Sequence, residues 1–185
     1  MRIFDLTMEI DERAVAFPGE PAPEIKQIAT IARDGWNEKR ITINSHVSTH
    51  IDAPFHMLEN GKKLDDFPLE QFLGKVVIID GNDFDSQLSL VKGGDIVFIH
   101  SDKEISERQA EMLIEKGIKL IGVDSCSPDS EPFNVHRLFF RHDILIVENL
   151  TNLERLVEKR LECIILPLKI KDADGAPCRV IAIEK

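Results

Sequence analysis

The sequence has little of what several large protein classes require. Its 185 residues include only three cysteines, Cys126, Cys163 and Cys178, an odd and widely spaced set that argues against a disulfide framework and indicates reduced thiols. No apolar run approaches the length that spans a bilayer, and the amino terminus lacks the apolar core of a signal peptide. These absences predict a cytoplasmic protein without a membrane-spanning segment.

Positive charge is also scarce. Lysine and arginine together number 23, against 33 aspartate and glutamate residues, so the formal net charge is −10. Nucleic-acid binders need a basic surface that neutralises phosphates, and anionic membranes attract the same kind of surface. The charge therefore predicts a protein that binds neither nucleic acid nor a membrane surface.

What is present is typical of a globular protein. Hydrophobic residues make up 43% and charged residues 30% of a length that suits one domain over residues 1–185. Short β-branched runs predict eight strands, at residues 2–7, 39–47, 75–80, 95–99, 119–123, 144–147, 163–166 and 179–183. Several of these runs are continuously apolar, which is expected of strands that are covered on both faces.

Helices are predicted between some of these strands. In the clearest one, residues 106–116, Ser106 and Gln109 form a capping-box pair and Gly117 ends the helix. Residues 134–140 predict a shorter helix, and Thr151 is the predicted start of another. Strands and helices alternate after the first third of the chain, so we predict an α/β fold with a mixed β-sheet and flanking helices.

The most informative segment is residues 46–56, His-Val-Ser-Thr-His-Ile-Asp-Ala-Pro-Phe-His, which holds three of the six histidines. Its β-branched residues and Pro54 argue against a helix. In a straight strand, histidines four residues apart would lie about 13 Å apart, too far to share an ion easily. A shared ion therefore requires a bend near Ser48 and Thr49.

Such a bend would bring His46, His50 and Asp52 together. Two imidazoles and one carboxylate leave coordination positions open, which is the pattern of a catalytic metal site. The alternative is a set of scattered polar residues on a half-exposed strand. The clustering of the histidines with an aspartate favours the metal site.

This segment resembles the metal-binding motif of the putative cyclase family, which includes bacterial kynurenine formamidase and isatin hydrolase. The family pattern is His-x-Gly-Thr-His-x-Asp-x-Pro-x-His, and one departure from it is Ser48 in place of glycine. If that position takes a positive φ, serine costs about 1 kcal/mol or more. Further similar segments follow the family order: residues 17–19, residues 122–125 with His136 after them, residues 148–153 and residues 174–182.

The resemblance implies a swivelling β/β/α-like fold and one or two divalent ions per chain, zinc or alternatively manganese. It implies five metal ligands: His46, His50, Asp52, His136 and Glu148. Asp52 would bridge the two ions. His56 would carry a proton from the attacking water to the leaving nitrogen, since its ordinary pKa of about 6.5 suits that task. Phe17 would contact the substrate.

The implied activity is hydrolysis of a carbon–nitrogen bond by metal-activated hydroxide, as in an arylformamidase that converts N-formylkynurenine to kynurenine and formate. The resemblance also implies a homodimer or larger homo-oligomer. Alternatives are a cyclic-amide hydrolase of the isatin type, a cyclase, and a metal-binding protein without turnover. A thiol hydrolase built on Cys126 with His100 or His136 is a further alternative. Aromatic residues are only 6% of the chain, with no tyrosine, so composition does not choose the substrate.

Overall fold

The computed structural model describes residues 1–14, 19 and 21–185. Its strands are β1 (Arg2–Asp5), β2 (Glu24–Ala29), β3 (Glu38–Thr42), β4 (His50–Asp52), β5 (Leu73–Asp80), β6 (Ile96–His100), β7 (Leu120–Val123), β8 (Leu145–Glu148), β9 (Arg160–Pro167) and β10 (Gly175–Glu184). Its α-helices are α1 (Ile31–Asp34), α2 (Phe84–Gln87), α3 (Glu107–Glu115) and α4 (Asn134–Phe140). The fold is of the predicted mixed α/β class.

Eight strands form one mixed sheet that closes on itself. Strands β5 to β8 are parallel neighbours, and β8 pairs antiparallel with β4. The long strand β10 pairs antiparallel with β4 and β1, and its other edge pairs with β9, which returns to β5. Because β9 joins β10 to β5, the sheet becomes a barrel and most of its strand edges are paired.

Side chains of the parallel strands alternate between two apolar layers. Val76 and Ile78 of β5 belong to the cluster that fills the barrel. Val77 and Ile79 belong to a second cluster, which packs against α3 and α4. Both faces of these strands are therefore buried, which confirms the reading of their continuous apolar runs.

Helix α3 begins as predicted. The Ser106 side chain accepts a hydrogen bond from the Gln109 N–H, and the Gln109 side chain accepts one from the Ser106 N–H. Helices α3 and α4 connect β6 to β7 and β7 to β8, so they lie on the outer face of the parallel strands.

Two predictions of secondary structure are wrong. The strand expected over residues 39–47 ends at Thr42, because β3 pairs with β2 in a separate two-stranded sheet and the chain must then return to the barrel. Thr151 does not start an α-helix. Asn152 takes a left-handed φ of 61°, and the Thr151 N–H donates to the Leu6 carbonyl, so only the 3₁₀ turn Leu153–Arg155 forms.

Within the described part of the chain, no helix is both long and apolar enough to cross a membrane.

Candidate metal centre

The candidate centre lies where β4 and β8 run side by side. His50 is paired directly with Glu148 across the two strands, and Asp52 is paired with Ile146. Their neighbours Ile51 and Val147 point into the barrel. Because side chains alternate along a strand, His50, Asp52 and Glu148 share the outer face, toward α4.

The predicted bend before β4 is present. Ser48 is buried and has a φ of 55°, so the position that is glycine in the family pattern does take a left-handed conformation. The bend places His46 Nδ1 2.7 Å from Asp52 Oδ1. His50 Nε2 lies 3.3 Å from the same oxygen. Two histidines and an aspartate thus converge from a segment that a straight strand would keep apart.

Helix α4 brings the second half of the centre. His136 is on its first turn, and His136 Nε2 lies 3.2 Å from Glu148 Oε1. The potential ligand atoms of Asp52, His136 and Glu148 all lie within 4.8 Å of one another, as do those of His46, His50 and Asp52. Asp52 belongs to both groups, so the structure brings the five predicted ligands around one shared carboxylate.

The donor atoms fit a divalent cation. His50 Nδ1 lies 2.9 Å from the Ser48 carbonyl, which only accepts hydrogen bonds, so in the neutral ring Nδ1 carries the hydrogen and Nε2 has the lone pair that a cation would bind. Among the described side chains, His50 Nε2 is a buried nitrogen that makes no hydrogen bond, and carboxylate oxygens of Asp52 and Glu148 each lie 3.3 Å from it. Leaving such an atom unsatisfied is costly, and coordination to a metal would satisfy it.

The electrostatics of the centre also suit a cation. Burial lowers the pKa of His50, but Asp52 and Glu148 outweigh burial and raise it to about 11. Burial also lowers the pKa of His46 and of His136, but their carboxylate partners have the larger effect and raise each pKa to about 9. Burial raises the pKa of Asp52, yet the two neighbouring histidines hold it well below its usual range. The centre therefore stabilises positive charge.

His56 lies at the rim of the centre. It ends the 3₁₀ turn Pro54–His56 directly after β4, and its ring centroid is 4.0 Å from that of His46. Its Nδ1 is 3.7 Å from Asp174 Oδ2, and its side chain is 29% exposed. Burial lowers the pKa of His56, although Asp52 acts in the opposite direction. His56 is thus beside the candidate ligands and still open to the pocket.

Several residues of the centre had no role assigned from the sequence. Asp129 contacts His136, Asp174 contacts His46, and Met57 and Phe133 line the pocket. A Cβ on Gly175 would lie 2.7 Å from His46 Cε1 and 2.8 Å from the Ile51 carbonyl, so only glycine fits there. Asp174 and Gly175 fall in the family-like segment 174–182, which was the available signal, whereas Asp129 had none.

The structure gives no support to two predictions, the substrate contact of Phe17 and the thiol hydrolase built on Cys126. Phe17 lies outside the described residues. Cys126 lines the pocket, but His136 has one ring nitrogen 2.5 Å from Asp129 and the other near Glu148, and His100 Nδ1 is 2.5 Å from Asp124. This arrangement favours the metal centre over a thiol hydrolase.

Comparison with known proteins identifies the family of the chain. Residues 4–130 match the model of the family described as Putative cyclase. Kynurenine formamidase of Bacillus thuringiensis is 33% identical over 200 aligned positions, which cover 96% of this chain and 95% of that protein. A structure described as a potential metal-dependent hydrolase with cyclase activity superposes with a TM-score of 0.85 at 26% identity, covering 100% of this chain and 99% of that one.

A second solved structure shares the fold. Isatin hydrolase A of Ralstonia solanacearum has a TM-score of 0.85 at 20% identity, over 98% of this chain and 91% of that chain. Together with the family match and the relative in Bacillus, the geometry of the centre leads to one conclusion. The chain belongs to the cyclase family and is a hydrolase of that family.

Proposed function

We propose that this protein is a metal-dependent amidohydrolase that cleaves an arylformamide, with N-formylkynurenine as the leading substrate and kynurenine and formate as products. The observation that carries the proposal is the pair of ligand groups that share Asp52 at the base of an open pocket. The similarity to kynurenine formamidase over nearly the whole chain supports the substrate class.

The proposed ligands form two sets. His46, His50 and Asp52 would hold the first ion, and Asp52 with His136 and Glu148 would hold a second. Imidazole and carboxylate ligands accept zinc and manganese, and we propose zinc as the resident metal. A divalent cation at this place supplies an activated water and polarises the substrate carbonyl.

His56 would carry the proton that the leaving group needs. An amide nitrogen departs as an amine only after it is protonated, so a proton must pass from the attacking water to that nitrogen. His56 is not required as a ligand, lies beside His46, and opens to the pocket. From this position His56 would be able to exchange protons with both water and substrate.

Apolar side chains that line the pocket suit an aromatic ring. Met57 follows His56 directly, and Phe133 packs edge-on against His136 with ring centroids 5.7 Å apart. A flexible thioether and an aromatic ring both make favourable contacts with an aryl group. Phe17 remains a proposed substrate contact.

The first test is turnover of N-formylkynurenine by the purified protein with zinc or manganese added, in the presence and absence of a chelator. We expect hydrolysis that the chelator abolishes and that added metal restores. Stoichiometric metal binding with turnover of isatin but not of the formamide would favour the cyclic-amide alternative. Bound metal without turnover of either would favour the non-catalytic alternative.

A second test separates proton transfer from metal binding. We expect His56→Ala to retain its metal and to lose about 10²–10⁴-fold in kcat, the range associated with general acid–base catalysis. Asp52→Ala should lose both metal and activity, because both ligand groups contain Asp52. His142→Ala is the matched control, since His142 is exposed and its Nδ1 faces the Leu138 carbonyl. Full activity of His56→Ala would refute its role.

A further inference from the structure

Each of the three candidate histidine ligands has one ring nitrogen that faces an oxygen atom on the far side from the shared carboxylate. His50 Nδ1 lies 2.9 Å from the Ser48 carbonyl, and His136 Nδ1 lies 2.5 Å from Asp129 Oδ1. His46 Nε2 lies 2.7 Å from Asp174 Oδ2. Such oxygen partners fix the tautomer and the ring orientation of metal-binding histidines.

The partner of His46 differs from the other two because it also reaches His56. Asp174 Oδ2 is 2.7 Å from His46 Nε2 and 3.7 Å from His56 Nδ1. The ligand atoms of these three residues lie within 4.8 Å of one another. One carboxylate oxygen therefore lies at hydrogen-bond distance from a candidate ligand and within ion-pair distance of the candidate proton carrier.

The backbone holds this carboxylate in place. The Asp174 carbonyl accepts a hydrogen bond of 2.8 Å from the Ala53 N–H, at the end of β4. The next residue, Gly175, is paired with Asp52 where β10 meets β4, and its lack of a Cβ allows His46 to approach. Asp174 is thus anchored to the strand that carries the ligands, although it is 128 residues from His46 in the chain.

We propose that Asp174 is a positioning residue that orients both His46 and His56. By accepting the Nε2–H of His46, it directs the Nδ1 lone pair toward Asp52 and His50, and through the same oxygen it sets the ring of His56. The inference rests on the proposed function, because it assigns Asp174 a task at the same centre. The proposed task is orientation and not coordination, although the Asp174 carboxylate lies within 4.8 Å of the ligand atoms of His46 and His56.

The test measures metal affinity, which does not depend on turnover. Zinc is titrated into metal-free protein against a chromophoric chelator, for the wild type, Asp174→Ala and Asp174→Asn. We expect Asp174→Ala to bind the same number of ions, with the tightest one weakened about 10–100-fold, the usual effect of losing such a partner. Asp174→Asn keeps an oxygen acceptor and should recover part of that affinity.

Asp172→Asn is the matched control. Asp172 lies on the same loop, is exposed, and bonds to Lys63, and neither residue belongs to a candidate ligand group. The same chemical change there should leave zinc affinity unchanged. Equal thermal unfolding of all variants would show that the loop remains folded.

A spectroscopic readout distinguishes orientation from general loop stability. In the zinc-loaded wild type, nitrogen–proton correlation NMR should show a protonated Nε2 on His46. In Asp174→Ala that proton loses its acceptor and should exchange faster with water, so its signal should broaden, while the signal of His136, which is oriented by Asp129, should be unchanged.

Unchanged zinc affinity in Asp174→Ala would overturn the inference and leave the proposed function intact. Loss of one whole equivalent of zinc would also overturn it, because Asp174 would then be a ligand. A wild-type protein that binds no zinc or manganese would overturn the proposed function together with the inference.

Discussion

Ser48 links backbone conformation to ligand orientation at the scale of a single residue. Its carbonyl accepts hydrogen bonds of 2.9 Å from both the His50 ring and the Asn149 side chain. Its hydroxyl lies 3.3 Å from the Met8 and Glu9 carbonyls. The left-handed conformation is therefore maintained by several contacts, and it aims the carbonyl at His50.

Replacing Ser48 by glycine and by alanine should separate strain from hydrogen bonding. Both variants lose the hydroxyl, but only alanine keeps a Cβ at a φ of 55°. We expect Ser48→Gly to unfold at a higher urea concentration than Ser48→Ala, with a difference of about 1–2 kcal/mol in unfolding free energy. Ser86, exposed in α2, is the control, where alanine should be the more stable because it favours helix. Greater stability of Ser48→Ala would contradict the strain argument.

Among the secondary-structure elements, the parallel strands β6 and β7 place polar side chains side by side at their carboxyl ends. His100 ends β6 and Asp124 follows β7, and these neighbouring strands bring their carboxyl ends to the same edge of the sheet. The hydrogen bond with Asp124 raises the pKa of His100 above 6.5, helped by the charges of Asp80 and Glu154, while partial burial opposes it.

The contact between His100 and Asp124 should make the free energy of unfolding fall as the pH rises. Because the folded protein holds the His100 proton more tightly, the pair stabilises it fully below pH 6.5, and the gain is lost as pH rises through the raised pKa. We expect His100→Gln to be less stable than the wild type near pH 6 and to approach it near pH 9. The exposure of His100 keeps the effect modest.

Urea unfolding of both proteins across this pH range measures the difference. His142→Gln serves as the comparison, since its ring contacts a backbone carbonyl rather than a carboxylate. If the difference in unfolding free energy between wild type and His100→Gln widened with rising pH, the raised pKa of His100 would be contradicted.

For the molecule as a whole, the notable surface is the hairpin of β2 and β3. It forms its own two-stranded sheet and exposes Ile31, Trp36 and Ile41 by 65%, 58% and 58%. An isolated two-stranded hairpin is marginally stable in water, and several large apolar side chains exposed within one short segment are typical of an interaction surface. These features support the homo-oligomer that the family resemblance implies, and we propose that the hairpin forms part of its interface.

Light scattering after size-exclusion chromatography would test this proposal. We expect the wild type to have at least twice the mass of a 21.0 kDa chain, and Ile41→Glu to shift toward the monomer. Leu90→Glu, at an exposed apolar residue far from the hairpin in sequence, should keep the wild-type mass. A monomeric wild type would refute the oligomer, and an unchanged Ile41→Glu would refute the interface.

That residues 1–185 form one domain stays a prediction, which the pairing of β1 with β10 supports because it joins the two ends of the chain in one sheet.

Local patterns in the sequence were sufficient to predict several features of the structure. The cap of α3 depends on Ser106 and Gln109, three residues apart, and the bend at Ser48 depends on ligands within one short segment. The alternate burial of β5 follows from its continuous apolar run. In each case the residues that signal the feature lie close together in the chain, so a short stretch of sequence is enough to predict it, even where distant residues such as Asn149 help to hold it.

Only the tertiary structure decided how the distant parts meet. Closure of the barrel through β9 and β10, the pairing of His50 with Glu148, and the contact of Asp174 with His46 all join segments far apart in the chain. The absent helix after Thr151 likewise depends on a distant partner, since the Thr151 N–H donates to the Leu6 carbonyl. Strand β2, which was not among the predicted strands, pairs instead with its neighbour β3. The sequence determined which residues could bind a metal, and long-range strand pairing determined that they share one centre, because a contact between distant segments leaves no periodic signal in either.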